Sequence, residues 1–179
     1  GVTSTYDDQQ RHCALIQKGL IAEEQRRGAP YDILILQEIR LQNRLMKDEK
    51  EASFFCPQNR TQIRSYARAE DPGAGIEIQI SNTLPPLVDI LGPFLEMRPR
   101  NPDADFFQGR FMIQQFRLQD AVILIAPFYG IAQGGLKAGR LLALAHETLR
   151  TVYAEVCAKH SGQEVCVVML GDFNAFPFH

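Results

Sequence analysis

The chain has 179 residues, 45% of them hydrophobic and 22% charged, with a net charge of −2. That length holds one domain with a real core and is too short for two ordinary ones; the apolar share excludes a disordered chain, and the weak acidity excludes a global pull toward nucleic acid. Cys13, Cys56, Cys157 and Cys166 match neither a zinc pattern nor a disulfide framework, so we read reduced, buried thiols in a reducing intracellular compartment, and no apolar run reaches the ~20 residues of a membrane span.

In chain order, residues 1–6 have β-type composition and read as the end of a strand. Asp7 is a fair N-cap for a helix to Arg27, with apolar positions at Cys13, Ala14, Ile16, Leu20 and Ile21 and a stop at Gly28-Ala29-Pro30. The run Tyr31 to Gln37 reads as a buried strand that delivers Glu38 at its end. Residues 40–68 are the basic stretch, where Arg40, Arg44, Lys47, Lys50, Arg60, Arg64 and Arg68 outnumber Asp48, Glu49 and Glu51. We read a solvated helix followed by an exposed hairpin, with a phosphate-facing surface as the competing reading. Phe54, Phe55 and Tyr66 are expected to pack in the core.

Asp71 to Gly75 is a turn, and the alternation of Ile76-Glu77-Ile78-Gln79-Ile80 predicts a half-buried strand. Pro85, Pro86, Pro93, Pro99 and Pro102 make residues 82–109 short edge strands and loop. Arg110 to Leu118 and Ala121 to Ala126 flank a tight Gln119-Asp120 turn and predict a hairpin, followed by a loop from Pro127 to Gly135. Leu141, Leu142, Leu144, Ala145, Leu149, Val152 and Val156 recur at helical spacing between Lys137 and Lys159, and Ser161-Gly162 stops that helix. Val165 to Leu170 is a β-branched apolar run, hence a buried strand, and Gly171-Asp172-Phe173-Asn174 follows it. Strands alternating with two long helices, without internal repeats, predict a single layered α/β domain over residues 1–179.

Ligand sites in open α/β sheets lie beyond the carboxyl ends of strands. Glu38, Asp172 and Asn174 stand at such ends and would form an all-oxygen cluster suited to a hard cation such as Mg²⁺. Each also has a plainer reading: a glutamate at a strand end is often a surface residue, and Gly, Asp and Asn are the usual residues of a tight turn. His12, His146 and His160 read as surface or capping residues.

Leu36-Gln37-Glu38 and Gly171-Asp172-Phe173-Asn174 resemble the two best-marked motifs of the endonuclease/exonuclease/phosphatase superfamily, metal-dependent hydrolases of phosphate esters. The glycine-rich turn before Ile76 is similar to that of the endonuclease domains of LINE-type retroelements. The resemblance implies a layered α/β sandwich, with Glu38 as the metal ligand and with Asp172 and Asn174 positioning the nucleophile and the phosphate. It also implies an Asn where Gly1 stands, and another in the middle loop where Phe128 stands, with Tyr129 the neighbour that could substitute. Arg140 matches a helix-start Arg and is expected to pair with a carboxylate. The strand and helix that follow Gly-Asp-x-Asn in the family, and the Asp-His pair that closes them, have no counterpart, and His179 does not replace that His. The lack of an initiator Met and the end at Phe178-His179 read as a mature product or a fragment.

These departures lead us to expect a degenerate, catalytically inactive relative with no metal cofactor. It would serve as a structural or binding subunit of a larger assembly, whose protein partners cover the truncated edge and meet Phe176 and Phe178. The alternative is a Mg²⁺-dependent phosphodiesterase acting on DNA, an endonuclease of apurinic-site or retroelement type.

Overall fold

The computed structural model describes residues 6–40, 59–132 and 135–174. The chain forms two compact units, Gly1–Leu84 and Pro85–His179. No helix among the described residues is long and apolar enough to cross a membrane.

The first unit opens with α1, Tyr6–Arg27. Residues 1–5 of the expected first strand lie outside the described residues, and Tyr6 belongs to the helix. Arg26 and Arg27 complement the carbonyl end of α1, and Gly28, at φ 74°, donates its amide to Glu24 O at 3.0 Å, which closes the helix. Its apolar face is narrower than the periodicity suggests. Ile16 and Leu20 are half-buried, whereas Leu15 is 70% and Ile21 51% exposed.

Three antiparallel strands follow: β1 (Ile33–Gln37), β2 (Arg60–Ser65) and β3 (Ile76–Ser81), in the order β1-β3-β2. The alternation in β3 predicts one wet face, but Ile76 to Ile80 is buried on both. The cause is its central place and its register. Arg64 lies opposite Glu77 and Gln62 opposite Gln79, so the polar face is covered by its own partners. The Arg64 and Glu77 side chains are 3% and 4% exposed and meet at 2.5 Å. Arg60, 2% exposed, binds Glu24 of α1 at 2.5 Å and the carbonyl of Tyr31. Two cations of the stretch expected to be solvated are therefore interior. Residues 41–58, which carry the rest of the expected helix with Phe54 and Phe55, lie outside the described residues.

The second unit contains β4 (Val88–Asp89), α2 (Leu91–Glu96), a 3-10 helix (Pro102–Phe107), β5 (Gln114–Leu118), β6 (Ala121–Pro127), α3 (Gly135–Lys159) and β7 (Glu164–Leu170). The proline-rich segment thus holds one short strand at the end of its sheet, β4, as expected, and two short helices that were not. Pro93 sits in the first turn of α2 and Pro102 opens the 3-10 helix, positions where the missing N–H has no partner to lose. The sheet order is β4-β5-β6-β7. β5 and β6 form the expected hairpin, and β6 pairs in parallel with β7 across the α3 crossover.

Core packing follows the α3 stripe, with Leu141, Ala145, Leu149, Val152 and Val156 set against Val122, Leu124 and Ala126 of β6. Val165 and Met169 of β7 pack against the same cluster. Cys157 and Cys166 are free thiols, half-exposed where burial was expected. Cys166 donates to Glu164 at 3.5 Å, a bond to the thiol form that holds its pKa above the usual thiol range.

Candidate functional site

Because β6 and β7 run in parallel, their carboxyl ends share one edge of the second unit, and the loops 127–130 and 171–174 adjoin there. They are laced by main-chain bonds. Phe128 N donates to Leu170 O at 2.9 Å and Gly130 N to Asp172 O at 2.7 Å. A Cβ on Gly130 would lie 2.0 Å from the Phe173 carbonyl oxygen, so this approach requires glycine.

Asp172 and Asn174 both stand in the 171–174 loop, and their side chains serve this lacing. Asp172 Oδ1 accepts from Asn174 N at 2.9 Å, an Asx-turn. Asn174 Nδ2 donates to Gly130 O at 3.1 Å. Arg110, buried at 7% exposure, donates to Tyr129 O at 3.1 Å and to the same Gly130 oxygen at 2.6 Å. The sequence reading missed Arg110. Its signal is slight, a lone cation at the start of an apolar run.

Beneath these loops the residues are aromatic. Phe128 is 0% exposed, stacks on Phe173 at 5.7 Å between ring centroids and meets Phe111 edge-on at 6.1 Å. A phenyl ring in this place can neither accept nor donate a proton. Tyr129 follows it at the same strand end. It is 8% exposed, with the Arg110 guanidinium 4.8 Å from its ring centre.

Glu38 belongs to the first unit. It follows β1 directly and sits at φ 54°, with Arg40 at φ 57°. Ile39 between them is buried, and the segment is tied to the turn before β3 by Ile39 N to Gly75 O at 3.3 Å and Arg40 N to Ala74 O at 3.0 Å. The left-handed region is uncommon for a glutamate and costs roughly 1–2 kcal/mol. Asn174 has φ 46°, so two of the three sequence-predicted site residues hold backbone conformations that recur at functional sites. The Glu38 carboxylate accepts from Arg40 Nη2 at 3.2 Å in an exposed pair.

Of the other sequence-predicted residues, Arg140 and His146 are exposed on α3, and Arg140 makes no ion pair among the described residues, contrary to the expected pairing. His160 is half-buried, with Arg117 Nη2 3.2 Å from its Nδ1. Gly1, Phe176, Phe178 and His179 lie outside the described residues.

A Mg²⁺ site needs about six oxygens in near-octahedral array. Among the described residues no group of three or more acidic, His or Cys side chains is arranged to hold a metal. Glu38 stands in the first unit and Asp172 and Asn174 in the second.

No family model matches the sequence, and no curated protein matches it. Solved structures do. The catalytic domain of APE2 from Xenopus laevis superposes with a TM-score of 0.61 at 15% identity, over 92% of this chain and 55% of that one. The AP endonuclease LMAP from Leishmania major gives 0.58 at 11%, over 88% and 50%. ANGEL2, a 2',3'-cyclic phosphatase, gives 0.55 at 17%, over 97% and 52%. The chain thus spans about half the length of each of these proteins. Helices combined with parallel and antiparallel strand pairing, matched to these neighbours, give this chain the α/β fold of the endonuclease/exonuclease/phosphatase proteins.

Proposed function

We propose that this chain is a degenerate member of the endonuclease/exonuclease/phosphatase fold that cleaves no phosphate ester and acts as a structural or binding subunit of a larger assembly. The observation that carries the reading is Phe128. The resembled nucleases carry an Asn at this point of the middle loop, whereas here a fully buried ring packs between Phe111 and Phe173. The polar groups around it, Asp172, Asn174 and Arg110, already bind the loop's own backbone. Removing one member of a catalytic group that acts as a unit abolishes most of the rate.

A binding role is supported by β7. Among the described strands it stands at the end of its sheet, and its Val167 and Val168 are 38% and 48% exposed. From Val165 to Leu170 it carries none of the charges or prolines that blunt such edges, which favours a protein partner beside it.

The second reading, a Mg²⁺-dependent endonuclease acting on apurinic-site DNA, is favoured by the exposed Asp172 and by the left-handed backbone of Glu38 and Asn174. In it Glu38 holds the metal and Asp172 and Asn174 orient the nucleophile and phosphate. Incubation of the purified chain with an abasic-site duplex and a 2',3'-cyclic phosphate, in Mg²⁺ or Mn²⁺, separates the two. We expect no product above the protein-free control. Turnover that Asp172→Asn abolishes would establish the enzyme instead.

A further inference from the structure

A groove of about 870 Å³ runs along the second unit between two walls, the segment from α2 to the 3-10 helix on one side and α3 on the other. Its floor is apolar, formed by Phe94, Leu95 and Ala104 from the first wall and Leu144 from α3. These side chains belong to or pack against the core cluster, so the floor is fixed by folding rather than assembled on binding. The volume lies within the range of pockets that take drug-sized bodies, which sets the occupant at a few side chains rather than a broad flat interface.

The charges on its walls decide what those side chains are. Both arginines of the lining are already neutralised. Arg98 binds Glu155 and lies 3.4 Å over the Phe94 ring, and Arg100 pairs with Asp105 at 3.0 Å. Two carboxylates of the lining have no such partner. Glu96 at the end of α2 and Glu147 on α3 are exposed, and neither forms an ion pair among the described residues. The uncompensated charge is therefore negative and sits once on each wall, above an apolar floor.

We propose that this groove docks a cationic amphipathic segment of a partner protein, its apolar side chains seated on the floor and a Lys or Arg reaching toward each of Glu96 and Glu147. This is recognition of an amphipathic peptide by a groove, with charge fixing the polarity of the ligand. The inference rests on the binding role proposed above and names the chemistry of one partner. An acidic or purely apolar peptide meets two unpaired carboxylates and is disfavoured.

The test is fluorescence anisotropy of the full chain against two labelled synthetic peptides of equal length, one alternating Leu with Lys and the other Leu with Glu. The Leu/Lys peptide binds, more weakly at higher salt, and the Leu/Glu peptide does not. Glu96→Gln with Glu147→Gln weakens binding about fivefold, as the loss of two surface ion pairs implies. Asp120→Asn with Glu164→Gln, which removes the same charge elsewhere on the unit, leaves it unchanged. Equal loss in both double variants, equal binding of both peptides, or no binding of either overturns the groove. None of these outcomes bears on the hydrolysis assay, whose positive result would instead remove the binding role itself.

Discussion

At the scale of single residues, a buried and an exposed ion pair of the first unit differ in what they contribute. Arg64 and Glu77 are 3% and 4% exposed, and Glu77 also accepts from Gln79 Nε2 at 2.5 Å. Breaking a buried pair from one side leaves a charge without compensation, which costs about 3–5 kcal/mol. Arg40 and Glu38 are 57% and 46% exposed, a setting in which a pair contributes roughly 0–1 kcal/mol. Urea denaturation of Arg64→Met should therefore show a loss of about 3–5 kcal/mol, and Arg40→Met a loss of less than ~1. Similar losses in the two variants would contradict the buried network. Sequence alone did not reveal it, because an arginine in a basic stretch and a glutamate in an alternating strand each read as solvent-facing until the register sets them opposite one another.

Among the elements, those with a strong period were legible. The α3 stripe and the β5–β6 hairpin appear where hydrophobic spacing put them, to within a few residues; the run of β7 is a strand as expected, but Val167 and Val168 are exposed where burial was expected. Two elements were not legible. α2 and the 3-10 helix were hidden by their prolines, which argue against helix interiors but fit first turns. The two-sided burial of β3 was hidden by its own polar residues, since nothing local says that Gln62 and Arg64 will cover them. β7 supports the binding role, and its exposed valines give that role a consequence. Val168→Lys should raise the concentration at which the chain sediments as a monomer and change its stability by no more than about 0.5 kcal/mol. Association that persists unchanged would mean that β7 is not the adhesive edge.

For the whole molecule, the fold was legible from two short motifs because each combines a buried strand with polar residues at its end. At 11–17% identity to the solved neighbours, little else of the sequence carries that kinship. The site was legible in part. Asp172 and Asn174 share a loop, but the sequence could not say that Asp172 Oδ1 accepts from Asn174 N or that Asn174 Nδ2 donates to Gly130 O, nor that Phe128 belongs to the core. The proposed loss of hydrolysis is tested by a cleavage assay only for the ester that is tried. Cation binding is required whatever the ester, so calorimetric titration of the full chain with Mn²⁺ tests the claim most directly. No heat of stoichiometric binding is expected, with wild type and Glu38→Gln indistinguishable. A saturating one-to-one isotherm that Glu38→Gln removes would contradict it.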